Sequence, residues 1–266
     1  MAGPSDALVI SVKDNGDPRG EPGVLSGACQ FLEWDSRFFA MRIARLTEPR
    51  LTSDSVASAL TWCRANRIDC LYFLADSGDV GTAMLAQVNG FQLVDMRLTL
   101  ERDLTHSMGT AAAVRPFQPA DTAALRTIAR VSHRDSRFYH DPRFTRRQCD
   151  ALYEAWMERS CDGWADAVLV AECGGASAGY VSCHRTPADV GSIGLCAVAP
   201  EFQGRGLGRE LVTAAFDYFY RNGIKQATVV TQGRNVASQR LYQRCGFLTQ
   251  SMQLWYHRWF ETDVPA

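Results

Sequence analysis

The 266-residue sequence lacks the features that mark several large classes of protein. It contains no run of about 18 uncharged apolar residues, so we expect no transmembrane helix and no membrane partner. Residues 1–6 lack the basic and apolar regions of a secretory signal, which predicts a cytoplasmic protein. The net charge of −1 supplies no overall field to attract nucleic acid, so no nucleic-acid partner is expected.

The nine cysteines are scattered through the chain without a single Cys-x-x-Cys pair. This spacing matches neither a zinc site nor a redox dithiol, so we expect no bound metal. In a cytoplasmic chain, such cysteines are expected to stay reduced and to serve as small buried apolar residues. The hydrophobic content of 46% is enough for one large core or for two modest ones.

A glycine-rich loop joins a predicted strand, residues 192–198, to a predicted amphipathic helix, Leu207–Arg221. The loop consists of Gln203, Gly204, Arg205, Gly206, Leu207 and Gly208. At such a helix start, backbone N–H groups and the helix dipole attract phosphate, and glycines let the phosphate approach the main chain. We therefore predict a pyrophosphate site here, to which Arg205 and Arg209 contribute positive charge.

The spacing within this loop excludes two common nucleotide-binding motifs. No Gly-Lys-Ser/Thr follows, as a Walker loop requires, and the glycines do not fit the Gly-x-Gly-x-x-Gly dinucleotide motif. Gln203, Gly206 and Gly208 instead match a Gln/Arg-x-x-Gly-x-Gly/Ala motif. In this respect the chain resembles the GCN5-related N-acetyltransferase (GNAT) family.

A second block of sequence strengthens the resemblance. Residues 227–231 are rich in β-branched side chains and predict a strand. Asn235 suits the N-cap of a helix over Val236–Arg244, and Gly246 suits the position after that helix, where φ is often positive. Residues 235–247 resemble the family's block that begins with Asn, contains Tyr and ends with Gly-Phe.

The resemblance covers residues 114–259 and implies the α/β GNAT fold, in which helices flank a mixed and splayed central sheet. It also implies N-acetyltransferase activity with acetyl-CoA as co-substrate. In the family, the backbone of the strand before the glycine loop holds the pantetheine arm and polarises the thioester carbonyl. By position, the predicted cofactor-binding residues are Leu195, Cys196, Ala197, Val198, Gln203, Gly204, Arg205, Gly206, Leu207, Gly208, Arg209 and Asn235. Direct transfer is usual in the family, so Cys196 is not expected to form an acyl-enzyme.

Two residues carry the predicted catalytic chemistry. Tyr242 matches the family's general acid, which donates a proton to the departing CoA sulfur, and Asn235 lies two helical turns before it on the same face. No Asp or Glu lies between residues 191 and 200, where many family members carry a base, so the general base stays open. The alternatives are His184, His257, a water relay, or an acceptor amine that is already neutral.

An internal repeat relates two parts of the chain. Residues 62–102 resemble residues 218–258 at a constant offset, with Gly90 aligned to Gly246 (246 − 90 = 156), although chance is the alternative explanation. The first copy lacks a tyrosine at the position of the predicted general acid, so it is expected to serve as scaffold and substrate wall. The predicted organisation is a flexible tail (1–27), a partial GNAT-like N-terminal domain (28–103), a linker (104–113) and a catalytic GNAT domain (114–266).

Two further segments concern the acceptor. Residues 32–39 and 133–141 resemble the opening and the acceptor loop of a GNAT subset that includes the dTDP-fucosamine (dTDP-4-amino-4,6-dideoxygalactose) acetyltransferases. The arginines of residues 134–147 suit a diphosphate and the aromatic residues suit a base or a sugar face, although a solvated basic face is the alternative. The predicted substrate-binding residues are Arg134, Ser136, Arg137, Phe138, Tyr139, His184 and His257.

The sequence therefore predicts direct transfer of an acetyl group from acetyl-CoA to the amine of a nucleotide-linked amino-dideoxy sugar, within a ternary complex. Alternative acceptors are a peptide N-terminus, an amino acid or a xenobiotic amine. The alternative class is a non-catalytic acyl-CoA-binding module. An exposed aromatic C-terminal strand, residues 254–258, would be able to mediate a homodimer, so a homodimer stays open.

Overall fold

The computed structural model describes residues 25–26, 29–107, 113–186 and 190–260. Most of the predicted tail and the middle of the predicted linker lie outside these residues. The strands are β1 Leu25–Ser26, β2 Cys29–Phe31, β3 Ile43–Leu46, β4 Cys70–Asp76, β5 Gln92–Asp103, β6 Val114–Pro116, β7 Ala167–Cys173, β8 Ala176–Arg185, β9 Gly191–Val198, β10 Gln226–Gln232 and β11 Leu248–Trp259. The α-helices are α1 Glu33–Phe39, α2 Ser53–Ala65, α3 Val80–Val88, α4 Thr122–Ser132, α5 Arg137–His140, α6 Arg146–Arg159, α7 Leu207–Arg221 and α8 Val236–Arg244.

The described strands form one mixed sheet in the order β1-β2-β3-β4-β11-β5-β10-β9-β8-β7-β6. Helices cover both faces of it. Tyr180 and Val181 are adjacent in β8, and they belong to two different core clusters because successive side chains of a strand point to opposite faces. Leu125 of α4 and Leu152 of α6 lie in one cluster, and Leu211 of α7 lies in the other. The predicted α/β architecture is therefore confirmed.

Three consecutive elements occur twice at the predicted offset. Strands β4 and β10, helices α3 and α8, and strands β5 and β11 begin and end 156 residues apart, as the two helix starts show (236 − 80 = 156). Chance alignment does not explain three elements with matching bounds. Because one sheet runs through both copies, the division into residues 28–103 and 114–266 stays a prediction.

The two copies exchange their last strands. Strand β5, from the first copy, lies between β10 and β11, and β11, from the second copy, lies between β5 and β4. The C-terminal strand is therefore paired along both edges, and its residues Trp255, Tyr256 and Trp259 are buried. The C-terminal strand is therefore not available as an exposed dimer surface, because it is inserted into the middle of the sheet.

The sheet splays between β9 and β10. These parallel strands pair only from Gly191–Ala227 to Ile193–Val229 and then separate, as the family resemblance implies. Beyond that point β9 also bulges against β8, because Cys196 pairs with Val181 but Ile193 pairs with Cys183. The splay and the bulge leave the last residues of β9 and β10 facing a common space.

Gly194 makes the bulge possible. A Cβ at this position would lie 2.5 Å from His184 Nε2 and 2.7 Å from Ser182 Oγ. The next residue, Leu195, donates its backbone N–H to Ser182 Oγ at 2.8 Å, which replaces the strand hydrogen bond lost at the bulge. The close approach of β8 and β9 therefore requires glycine here.

The described ranges lack two kinds of structural feature. No helix among them is both long and apolar enough to cross a membrane. Within the same ranges, no group of three or more His, Cys, Asp or Glu side chains is arranged to hold a metal ion. All nine cysteines are free thiols.

Candidate active site

A cavity of about 580 Å³ opens where β9 and β10 separate, beside the start of α7. Its volume lies within the range of small-ligand sites. Its walls come from β9, β10, the glycine loop, α8, the region from α4 to α6, and the exchanged strand β5. Of the residues predicted from the sequence, the lining includes Ser136, Arg137, Phe138, His184, Leu195, Cys196, Ala197, Val198, Gln203, Gly204, Gly206, Leu207, Gly208, Asn235 and Tyr242.

The glycine loop forms one wall of the cavity. Gly204 and Gly206 have φ angles of 75° and 85°, a conformation that favours glycine. A Cβ at either position would meet no protein atom within 4 Å, so the space in front of the loop is open. No side chain caps the N-terminus of α7, which leaves its first N–H groups for a ligand. These features fit the pyrophosphate of acetyl-CoA.

The structure does not bring Arg205 and Arg209 to the cavity wall. Arg205 lies over the Phe202 ring, 5.4 Å from its centroid, and donates to the Glu201 carbonyl oxygen at 3.2 Å. Arg209 is exposed on the first turn of α7. The contribution of these two arginines to phosphate binding stays a prediction.

Helix α8 presents Asn235 and Tyr242 to the same cavity. Asn235 caps the helix as predicted, because its side-chain oxygen accepts a hydrogen bond from the Ser238 amide at 3.0 Å. The Tyr242 ring packs edge-on against Phe247, with ring centroids 5.7 Å apart. Burial raises the pKa of the Tyr242 hydroxyl well above its usual value, so this group keeps its proton until a strong base forms beside it.

Cys196 lines the cavity in the bulged part of β9. Burial raises the pKa of its thiol to about 12, so the thiol stays protonated near neutral pH. Because the thiolate is the nucleophilic form of cysteine, this environment disfavours an acyl-enzyme and favours direct transfer.

Arg137 lines another part of the cavity. Arg137 is only 8% exposed. Its guanidinium lies 4.1 Å from the centroid of the Trp255 ring and 4.3 Å from the centroid of the Phe138 ring. Its Nε and Nη2 are buried and have no hydrogen-bond partner among the described residues. A buried cation without hydrogen bonds is costly, so this site suits an anionic group of a ligand.

Three residues predicted to bind substrate lie outside the cavity wall. Arg134 donates to the Val131 carbonyl oxygen at 3.0 Å, and Tyr139 donates its hydroxyl to Asp150 at 2.6 Å. His257 is fully buried against Asp141, with its Nδ1 2.6 Å from a carboxylate oxygen, and burial lowers its pKa to about 4. The geometry therefore gives His257 no route to an acceptor amine.

His184 does line the cavity. Its Nε2 lies 3.2 Å from Ser182 Oγ, and its ring meets Trp164 edge-on at a centroid distance of 5.2 Å. Ser182 also accepts the Leu195 N–H, so His184 supports the bulged strand through this hydroxyl. His133, a further lining histidine, hydrogen-bonds Tyr180 at 2.8 Å, and burial lowers its pKa to about 4.

Strand β5 supplies functional candidates that sequence reasoning missed. Asp95 and Arg97 line the cavity and are 4% and 3% exposed, whereas the intervening Met96 is 41% exposed. Charged residues at alternate positions lie on the same face of a strand. The spacing of Asp95 and Arg97 was therefore the one feature of the sequence that could have indicated a shared site. The sequence could not show that this face of β5 lines the cavity, because the strand exchange decides which elements lie against it. Further missed lining residues are Tyr153, Trp156, Arg159, Trp164, Thr231, Gln232 and Trp255.

Comparison with known proteins identifies the family. Residues 126–247 match the model of the acetyltransferase (GNAT) family. A GCN5-related N-acetyltransferase from Sphaerobacter thermophilus superposes with a TM-score of 0.61 over 90% of this chain and 78% of that chain, at 17% identity. The chain belongs to the GNAT family. It is an N-acetyltransferase, and the co-substrate of its family is acetyl-CoA.

Three named relatives each match more than half of this chain. The dTDP-fucosamine acetyltransferase of Escherichia coli O6:H1 is 29% identical over 85% of this chain and 96% of its own length. The spore coat polysaccharide biosynthesis protein SpsD of Bacillus subtilis is 30% identical over 54% of this chain, which spans half of that relative. A mycothiol acetyltransferase of Renibacterium salmoninarum is 25% identical over 85% of this chain and 70% of its own length.

Proposed function

We propose that this enzyme transfers an acetyl group from acetyl-CoA to the amine of a nucleotide-linked amino-dideoxy sugar. The observation that carries the proposal is the buried guanidinium of Arg137, whose Nε and Nη2 lack hydrogen-bond partners among the described residues. Arg97 and Arg159 line the same cavity. A diphosphate is the acceptor component that suits several arginines, because each guanidinium can hold two phosphate oxygens.

Aromatic side chains around these arginines suit the rest of a nucleotide sugar. Trp156 meets Tyr153 edge-on at a centroid distance of 5.2 Å, and both line the cavity. Trp164 and Trp255 line it as well. Such rings stack on a pyrimidine base or pack on a sugar face without demanding a particular hydrogen-bond pattern. The sugar names of two relatives support the same class of acceptor.

The chemistry follows from the positions of the lining groups. The glycine loop and the start of α7 hold the CoA pyrophosphate, and the open part of β9 offers backbone groups to the pantetheine arm and the thioester carbonyl. The acceptor amine attacks the thioester directly, since the Cys196 thiol stays protonated. Tyr242 donates its proton to the sulfur as the carbon–sulfur bond breaks. Asn235 fixes the helix that carries Tyr242.

The cellular setting belongs to the same proposal. We place the enzyme in the cytoplasm, where its nine free thiols would stay reduced. Association of two copies stays a prediction, and the buried C-terminal strand no longer supports it.

The test is a substrate panel with acetyl-CoA. CoA thiol release and product mass are measured with dTDP- and UDP-linked 3-amino and 4-amino sugars, with the matching sugar phosphates that lack a nucleotide, and with peptides, amino acids and simple amines. Turnover of one nucleotide sugar, with at least about tenfold lower kcat/KM for its sugar phosphate, is expected if both the base and the diphosphate are bound. Preferred turnover of a peptide or a simple amine would replace the sugar by that acceptor. Acetyl-CoA binding without turnover of any amine would indicate a non-catalytic module.

A further inference from the structure

Asp95 occupies an unusual place in the active-site wall. It is one of two carboxylates that line the cavity within the described residues, and the other, Asp135, is partly exposed in the loop before α5. Asp95 comes instead from the exchanged strand β5 and is 4% exposed. A nearly buried carboxylate at the wall of an active site is a candidate for proton transfer.

A β-bulge aims this side chain. Trp255 of β11 pairs with Asp95, but the next residue, Tyr256, pairs with Leu93, so Val94 is an extra residue in β5. Bulges re-aim the side chains beside them and occur often next to active sites. The second copy has the equivalent bulge, with Gln250 as its extra residue, followed by Ser251 where the first copy has Asp95. The fold therefore makes this bulge twice but places a carboxylate beside it only once.

The surroundings of Asp95 leave one of its oxygens for a ligand. Oδ1 accepts the Met96 N–H at 2.8 Å and lies 3.9 Å from Nη2 of Arg234, which donates to the Val94 carbonyl oxygen. No hydrogen bond from a described residue reaches Oδ2, and that atom is not among the fully buried ones. One oxygen is thus held by the backbone while the other faces the cavity.

The strand register places Asp95 two residues beyond the end of β10, on the wall of the cavity. Arg97, two residues along β5, pairs with Gln232 at the end of β10, where the sheet is splayed. Both side chains line the cavity, and two strand residues span about 7 Å. The charged groups that act on Asp95 are Arg137 of α5, Arg234 before α8 and Asp135 before α5. Burial outweighs the two arginines and raises the pKa of Asp95 to about 6.

We infer that Asp95 is the general base of the acetyl transfer and accepts the proton of the acceptor ammonium. This inference rests on the proposed transfer to an amine. The proton passes from nitrogen to Asp95 Oδ2, and the freed electron pair forms the bond to the thioester carbonyl carbon. The carbon–sulfur bond then breaks with its electron pair on sulfur, and Tyr242 protonates the sulfur. The nitrogen loses its second proton to solvent as the amide forms, and solvent returns one proton to Tyr242. Asp95 afterwards loses its proton to solvent.

The test compares Asp95→Asn and Asp95→Glu with the wild type, using dTDP-4-amino-4,6-dideoxygalactose as the acceptor. Asp95→Asn should lower kcat/KM by about 10²- to 10⁴-fold. It should also remove the fall in kcat/KM that the wild type shows below about pH 6, which is the acid limb of its pH–rate profile. The dissociation constant of acetyl-CoA should change less than about twofold. Asp95→Glu should retain an acid limb. The matched control is Asp103→Asn, on the exposed end of the same strand, which should behave like the wild type.

A second readout does not depend on turnover. A ¹³C-NMR titration of labelled aspartate should show two carboxyl signals with a raised pKa, one near 7 from Asp35 and one near 6 that is absent from Asp95→Asn. The inference would be overturned if Asp95 titrated near pH 4, the ordinary pKa of an aspartate. It would also be overturned if Asp95→Asn kept the kcat/KM and the acid limb of the wild type. If no nucleotide-linked amino sugar of the panel is acetylated, the proposed acceptor is wrong, and the NMR titration still decides whether Asp95 titrates near pH 6.

Discussion

Arg97 and Gln253 are Cα partners in the neighbouring strands β5 and β11, and each is the other's counterpart in the internal repeat (253 − 97 = 156). On either side of this pair, Met96 opposes Leu254 and Leu98 opposes Met252. In the internal repeat, Met96 corresponds to Met252 and Leu98 to Leu254, so these two pairs are interchanged when the copies are interchanged. The pair therefore lies on a pseudo-twofold axis between the two copies. Around this axis each copy contributes its last strand to the other copy's side of the sheet.

Loss of the Tyr242 hydroxyl should affect the chemical step. Tyr242→Phe is expected to lower kcat by about 10²-fold or more while the dissociation constant of acetyl-CoA stays within about twofold, because the ring packing against Phe247 is kept. Steady-state kinetics and calorimetric titration measure the two quantities. Tyr220→Phe, on the 39% exposed tyrosine of α7, is the control. Unchanged turnover of Tyr242→Phe would remove this residue from the mechanism.

The two glycines that flank α7 allow a matched test of cofactor binding. Gly206 and Gly223 both have positive φ, at 85° and 78°, and a Cβ at either would meet no atom within 4 Å. Valine at either position should therefore destabilise the fold by about 1–2 kcal/mol. Only Gly206→Val should weaken acetyl-CoA binding, by about tenfold or more, because only Gly206 lines the cavity. Equal affinities of the two variants would mean that the pyrophosphate lies elsewhere.

Arg137 should matter for the acceptor and not for the cofactor. Arg137→Gln removes a guanidinium whose Nε and Nη2 lack hydrogen bonds, so we expect little loss of thermal stability. It should raise the KM of a nucleotide-sugar acceptor by about 10- to 100-fold, because this is the loss of affinity expected when one hydrogen bond to a charged group is removed. The exposed Arg147, ten residues further along the same basic segment, is the control as Arg147→Gln. An unchanged KM would contradict the diphosphate assignment.

Asp35 should make stability fall with rising pH. Its side chain is buried in α1, neither oxygen has a hydrogen-bond partner among the described residues, and burial raises its pKa to about 7. Between about pH 4 and 7, the folded state keeps a proton that the unfolded state loses, so the free energy of unfolding decreases as pH rises through this window. Above about pH 7, the folded state also holds Asp35 as a carboxylate, and the free energy of unfolding stays lowered by the full cost of burying that charge.

The corresponding measurement is the melting temperature of Asp35→Asn against that of the wild type. The two should melt at similar temperatures near pH 4.5, and the variant should gain stability relative to the wild type by pH 8. Asp54→Asn, on the exposed side of α2, should show no such divergence. A constant difference across this range would show that Asp35 does not titrate there.

The strand exchange predicts that the two halves depend on each other. Residues 113–266 alone would leave β10 without β5, and β11 without β4 and β5. We expect this fragment to show no cooperative thermal transition, and we expect co-expression with residues 1–107 to restore one together with acetyl-CoA binding. A fragment 113–266 that melts cooperatively and binds acetyl-CoA would show that the predicted catalytic domain is independent.

Local sequence signals determined the helices, the glycine loop and the repeat. The bounds of α7 and α8, and the Asn235 cap, are set by residues close in the chain, whose periodicity and hydrogen-bonding groups are visible in the sequence. The offset of 156 residues was equally visible, because it compares the chain with itself.

Tertiary structure decided which strands pair and which charges enter the site. Backbone hydrogen bonds are alike for all non-proline residues, so no local pattern shows that β5 pairs with β10 or that β11 lies inside the sheet. The same holds within the basic segment, where Arg137 enters the cavity while Arg134 turns back to its own helix. Asp95 reaches the active site only because its strand is exchanged, and long-range packing alone determines that position.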